Sequence, residues 1–230
     1  MSHVLDNPVW FALVGPQADF AHGRGLARHF YRDMAPFSAV EEATTAAYAD
    51  LASDLPSNTE ARLFRPSDEA LPPGWLAIDA FPMLQMVPKH DRPIAEDYAV
   101  PDDLTEADVL AMRELVDVAK PGPFGPRTHR LGRFVGYREN GRLVAMAGER
   151  LRLPSYVELS AICTHPVARG RGLAGKLMRC LMNRAIVRGE SPFLHVRLEN
   201  REAVSLYHRL GFTVRREIWV LWRKPVSEAS

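Results

Sequence analysis

The stretch that most constrains this chain is residues 158–176, ELSAICTHPVARGRGLAGK. An apolar run, Val157, Leu159, Ala161, Ile162 and Cys163, ends at His165-Pro166. A glycine-rich turn follows, Arg169-Gly170-Arg171-Gly172, and apolar residues then return at helical spacing: Leu173, Leu177, Met178, Leu181 and Met182. The order reads as strand, tight loop, helix. A loop that opens a helix exposes backbone N–H groups with no intrahelical partner, and small side chains let an anion reach them. The pattern predicts a pyrophosphate cradle on Arg169, Gly170, Arg171, Gly172, Leu173, Ala174 and Gly175.

Three glycine patterns overlap here. Gly170, Gly172 and Gly175 spell GxGxxG, the dinucleotide fingerprint. Gly170, Gly175 and Lys176 spell GxxxxGK, but Leu177 stands where a P-loop needs Ser or Thr for magnesium. Arg169, Gly172 and Ala174 satisfy Arg/Gln-x-x-Gly-x-Gly/Ala. The flanks choose among them. No acidic magnesium strand is evident, and roughly 55 residues remain, room for about two strands and one helix. A dinucleotide fold needs several more βα units than that. Residues 193–197, FLHVR, read as a buried strand, and residues 200–212 as a short helix ended by Gly211.

The pair Arg-x-x-Gly-x-Ala and Asn200-x-x-Ala203-x-x-Leu206-Tyr207-x-x-Leu210-Gly211-Phe212, in that order, resembles two motifs of the GNAT superfamily of acetyl-CoA-dependent N-acyltransferases. The resemblance covers roughly residues 93–230. It implies an α/β fold with a mixed sheet in which parallel strands four and five splay apart. A smaller mixed α/β unit would precede it over residues 1–92, a degenerate GNAT-like half of a tandem, with the catalytic domain at 93–230. The implied element order is β-α-α-β-β-β-loop-α-β-α-β.

Composition narrows the setting. The chain has 230 residues, 47% hydrophobic and 25% charged, as soluble globular proteins do. No run reaches the roughly 18 apolar residues of a membrane span. The first residues hold Asp6 and no basic segment, which argues against a signal peptide. Cys163 and Cys180 read as reduced, buried thiols, so a cytoplasmic protein is expected. The net charge of +1 gives no reason to invoke nucleic acid. The charge is uneven: residues 1–92 carry 7 basic and 12 acidic side chains, residues 93–230 carry 22 and 16. The half with the glycine loop is the basic one, which suits a polyanionic cofactor such as coenzyme A.

Asn7 and Pro8 read as N-cap and first residue of a short helix. Gly23-Arg24-Gly25 reads as a hairpin turn between residues 19–22 and 26–31, although its surroundings echo residues 168–174. Residues 39–54 have helical composition. Residues 61–64, 75–81 and 83–87 read as short strands, and 88–93 as a linker. Thr105 and Asp108 form a capping-box pattern at the start of a helix. The Gly- and Pro-rich loop from residue 121 to 130 is where the resemblance places an acceptor site. Asn140-Gly141 marks a hairpin between strands at 133–138 and 142–150.

Acetyl transfer to an amine requires a held thioester, an acceptor that loses a proton and a thiolate that gains one. The resemblance implies that backbone groups of Ile162, Cys163 and Thr164 pair with the pantetheine arm, one N–H acting as an oxyanion donor. Glu158 is the expected base, its basicity raised by apolar neighbours. An ion pair with Arg150 or Arg152 is the competing role. The resemblance implies that Tyr207, the tyrosine of its second motif, is the acid and also touches the cofactor. Asn200 is expected to bind the cofactor, to cap its helix, or both. His165 and His195 read as structural, because no metal-ligand spacing links them to other residues. Cys163 as nucleophile would need an adjacent base. The reading is therefore an N-acetyltransferase that uses acetyl-CoA and no metal on a small-molecule or peptide amine, by direct attack in a ternary complex. Its rivals are a non-catalytic acyl-CoA-binding module and a nucleotide-binding oxidoreductase.

Overall fold

A computed structural model describes residues 3–90, 92–93 and 98–226. The chain opens with helix α1 (Pro8–Leu13), whose Pro8, Val9, Trp10, Ala12 and Leu13 are all buried. Asn7 sits at the N-cap position, but its side chain does not cap the helix. Its amide donates instead to the carbonyls of Val40 (2.7 Å) and Glu41 (3.2 Å), pinning α1 to the strand beside it. Strands β1 (Ala21–His22), β2 (Ala27–Phe30) and β3 (Ser38–Val40) form a small antiparallel sheet. The Gly23-Arg24-Gly25 turn joins the first two as expected, with Gly23 and Gly25 at positive φ. Helix α2 (Thr45–Asp54) begins later than its composition suggested, because Thr44 accepts from the Ala47 N–H and residues 39–40 belong to β3.

Strands β4 (Ala61–Arg65) and β5 (Trp75–Pro88) leave this unit and enter a larger sheet. β5 is one continuous strand where two were expected on either side of Pro82. Pro82 lies just beyond Met83, the limit of the pairing with residues 194–197, so on that side it has no ladder bond to break. Residues 91 and 94–97 of the expected linker region lie outside the described residues.

After β6 (Asp102–Leu104), Thr105 N–H donates to Asp108 Oδ2 (2.7 Å), closing the expected capping box ahead of α3 (Val109–Ala119). One α-helix and two short 3₁₀ turns stand where the family order has two helices. β7 (Phe134–Glu139) and β8 (Arg142–Leu153) meet at Asn140-Gly141, both at positive φ, as the hairpin signal required. β9 (Tyr156–Thr164), α4 (Leu173–Val187), β10 (Ser191–Arg197), α5 (Arg201–Arg209) and β11 (Phe212–Pro225) complete the chain. Gly211, at φ 87°, ends α5.

The large sheet has eight strands in the order β4-β11-β5-β10-β9-β8-β7-β6. Among the described residues, β9 and β10 are the one neighbouring pair in this sheet that runs parallel. α4 and α5 pack on one face over Met86, Leu159, Leu194 and Phe212. The N-terminal unit covers the other, with Leu5, Val9 and Phe37 packed in one cluster with Phe193, Ile218 and Val220 of the sheet. Each such buried side chain contributes about 1.5–3 kcal/mol relative to exposure. The expected boundary near residue 92 therefore does not separate two sheets. β5 lies between β10 and β11, bonded to both, and β4 flanks β11 on its other side. Nor do the first 92 residues repeat the loop-and-helix unit of a tandem. Among the described residues no helix is long and apolar enough to cross a membrane.

Candidate active site

The site is made by strands coming apart. β9 and β10 pair only at Tyr156–Ser191, Val157–Pro192 and Glu158–Phe193. Beyond that point β10 continues with β5 on its other side, and β9 continues with β8. The edge of β9 from Leu159 onward is thus left without a parallel neighbour. It also carries a bulge. Cys163 pairs with Met146 and Ser160 with Gly148, so Ala161 and Ile162 together oppose Ala147. Ala161 takes φ 53°, a left-handed conformation that costs a non-glycine residue roughly 1–2 kcal/mol. Such bulges re-aim backbone groups and are common beside functional sites.

At the end of β9, His165 Nδ1 accepts from Val167 N–H (3.4 Å) and closes a 3₁₀ turn. The turn through Gly170 (φ 78°) and Gly172 (φ 71°) then delivers the chain into α4. The left-handed backbone at both positions explains the glycines. A Cβ at either would project into open space with no atom within 4 Å, so the face of the loop is vacant. The first N–H groups of α4, which follow this turn directly, have no intrahelical acceptor. That geometry fits a pyrophosphate.

One cavity of about 940 Å³ connects these parts. Its lining includes Ile162, Cys163 and Thr164, then Arg169, Gly170, Arg171, Gly172, Leu173, Ala174 and Gly175, then Asn200 and Tyr207. It also includes residues from both faces of the sheet, so it passes through the gap between β9 and β10. The Pro- and Gly-rich segment after α3 contributes Lys120 to Pro123. Seven Arg and Lys side chains line the cavity against one described acid, Glu202.

Tyr207 is 6% exposed, and burial pushes its hydroxyl up to about 12. It therefore stays protonated throughout the neutral range. Asn200 Oδ1 accepts from Ala203 N–H (3.1 Å) and caps α5 while lining the cavity. Cys163 is buried, and desolvation pushes its thiol up to about 12. A thiol in that state is a poor nucleophile.

Glu158 departs from its expected setting. It is fully buried and does not line the cavity. The competing role, an ion pair, is the one seen: Arg150 Nε donates to Oε2 (2.8 Å) and Arg150 Nη2 to Oε1 (2.6 Å). His195 Nδ1 lies 2.7 Å from the same Oε1. Burial pulls the Glu158 pKa upward, but the Arg150 charge and the His195 and Arg150 hydrogen bonds outweigh it and hold the carboxyl at about 2. The expected gain in basicity is reversed, because the apolar neighbours come with a guanidinium. The His195 ring is oriented from behind. Gln85 Oε1 accepts from Arg215 (2.8 Å), so the Gln85 amide nitrogen faces His195 Nε2 (3.0 Å) and the Leu5 carbonyl (2.8 Å). Nε2 is then the acceptor, and Nδ1–H donates to Glu158.

The sequence reading missed the far wall. Phe37, Arg62, Phe64, Phe81, Met83 and Trp222 all line the cavity, and five of the six come from residues 1–92. No motif marks them; the sole signal is alternation along β4, β5 and β11, which puts every second residue on one face.

The FR47-like protein family matches residues 134–220, the span from β7 into β11. A crystal structure described as an acetyltransferase of the GNAT family from Novosphingobium aromaticivorans superimposes with a TM-score of 0.90 at 37% identity, covering 98% of this chain and 100% of that one. A GCN5-related N-acetyltransferase from Kribbella flavida shares the fold at 18% identity, with a TM-score of 0.58 over 95% of each chain. Among curated proteins, N-alpha-acetyltransferase RimI of Mycobacterium tuberculosis is 40% identical over 82 residues, 34% of this chain. The match spans about half, 51%, of that relative's length.

Proposed function

This chain belongs to the GNAT family of acetyltransferases, and from that membership we propose that it transfers the acetyl group of acetyl-CoA to an amine by direct attack. The observation that carries the reading is the continuity of the cavity. It joins an anion-binding helix start, an unpaired bulged strand edge and a protonated tyrosine in one space.

In this proposal the N–H groups from Arg171 to Gly175 hold the pyrophosphate, and the basic lining adds to that attraction. The free edge of β9 at Ile162, Cys163 and Thr164 receives the pantetheine arm as an added strand would be received. An N–H of the bulged segment polarises the thioester carbonyl, and the Tyr207 hydroxyl gives its proton to the departing thiolate. Asn200 and Arg169 border the cofactor end. Glu158 touches neither reactant. Its role is to hold Arg150 and His195, both of which line the cavity. The surplus of positive charge disfavours an ammonium, so the acceptor binds as the neutral amine and its proton leaves to solvent. The RimI name supports an amine acceptor.

The test is release of free coenzyme A thiol from acetyl-CoA with a panel of small amines and peptides. Amine-dependent release that climbs with pH up to the acceptor's own pKa is the expected result. Acetyl-CoA binding with no release for any amine would favour a non-catalytic acyl-CoA-binding protein.

A further inference from the structure

The end of the cavity away from the glycine loop is walled by Phe37, Phe64, Phe81, Met83 and Trp222. Two donors in this wall have no acceptor among the described residues. Arg62 Nε and Trp222 Nε1 are both buried, and neither makes a hydrogen bond. They are neighbours, because Arg62 and Trp222 face each other across the β4–β11 ladder. The Arg62 guanidinium lies 3.9 Å from the indole centroid, which fixes the head group against the wall. Buried N–H groups left without acceptors are costly, and native structures ordinarily satisfy them. Burial also pulls the Arg62 pKa down, with the nearby Glu60 charge only opposing the effect. An anion in the chamber would relieve both conditions.

The other charges leave that task open. Glu158 is consumed by Arg150 and His195. Arg197, stacked 3.9 Å from the Phe81 centroid, adds a second cation to the same wall. Glu202, the one described acid in the lining, lies in the first turn of α5 beside Asn200.

We propose that the acceptor is an apolar amine that also carries a carboxylate, of the aryl or large aliphatic amino-acid type. The carboxylate is taken by the Arg62 and Trp222 N–H groups, and the apolar body lies against Phe37, Phe64 and Phe81. The amine half of this assignment rests on the acetyl-transfer reading; carboxylate recognition stands on the two donors themselves. A protein N-terminus does not fit, since its first residue ends in a neutral peptide bond.

The test is isothermal titration of the full chain, with and without coenzyme A, using N-acetyl-L-phenylalanine and its carboxamide. A charged hydrogen bond in a desolvated site is worth roughly tenfold to a hundredfold in affinity, so the acid should bind at least about tenfold tighter than the amide. Arg62→Gln should bring the ratio close to one, and Trp222→Phe should reduce it partway. Equal binding of acid and amide by the wild type, or no binding of either, would overturn the assignment whatever the variants do. The outcome separates from the acetyl-transfer reading. An acid-selective chain that releases no thiol upholds the chamber and sinks the enzyme, and an active acetyltransferase indifferent to the carboxylate does the opposite.

Discussion

Replacing Glu158 with glutamine probes the buried node behind the cavity wall. Three donors converge on its two oxygens, at 2.8, 2.6 and 2.7 Å. Glutamine keeps one oxygen but sets an NH₂ group against an N–H of Arg150 or His195. It also removes the one carboxylate, among the described residues, that pairs with Arg150, whose side chain is 13% exposed. Breaking a buried pair from one side costs about 3–5 kcal/mol. Linkage gives an independent figure. Glu158 is held at about 2 against an ordinary 4.5, which corresponds to about 3 kcal/mol. Because the folded-state pKa is depressed, this stability is fully present above the ordinary value and is lost as pH falls from 4.5 towards 2. Urea unfolding followed by circular dichroism at several pH values reads both effects. At neutral pH the variant should be less stable by about 3–5 kcal/mol, and the gap should close on acidification through that window. A gap under about 1 kcal/mol at neutral pH, well below the one-sided cost of a buried pair, or a gap of constant size down to low pH, would refute the reasoning. If the variant stays folded, the acid limb of its pH–rate profile should match the wild type's; loss of that limb alone would restore Glu158 as the base.

Tyr207→Phe should lower turnover by roughly tenfold to a hundredfold with little change in KM for acetyl-CoA, since only the proton donor is lost; full activity in steady-state assays would reduce Tyr207 to a core residue. Residues 93–230 expressed alone should fail to fold, because β11 loses both neighbours and β10 loses β5; a soluble fragment with a cooperative urea transition would contradict this.

Much of the glycine-rich turn and of the β7–β8 hairpin was legible in the sequence. Glycines at 170 and 172 meet a backbone need that few other residues satisfy, and Asn140-Gly141 does the same for the β7–β8 hairpin. Local chemistry of that kind is written locally. The aromatic wall of the cavity was not legible, because it depends on long-range pairing: Arg62 meets Trp222 across 160 positions of sequence. The same holds for Glu158, whose neighbours along β9 are mostly apolar while its actual partners come from β8 and β10. The bulge at Ala161 carried no glycine to announce it, since an alanine there bears the strain. Residues 1–92 read as a separate unit because β5 is followed by a Pro-rich stretch, yet β5 pairs with strands more than 100 positions later.

The most direct test of the account is calorimetric titration of acetyl-CoA into the wild type and Gly172→Val. Gly172 has φ 71°, where a β-branched residue is strained by more than the roughly 1–2 kcal/mol of an ordinary side chain, and its Cβ would enter the vacant face of the loop. The account predicts saturable one-site binding by the wild type and at least a tenfold loss in the variant, about 1.4 kcal/mol, with secondary structure preserved. Wild-type affinity in the Val variant, or a wild type that binds NADH and not acetyl-CoA, would contradict it.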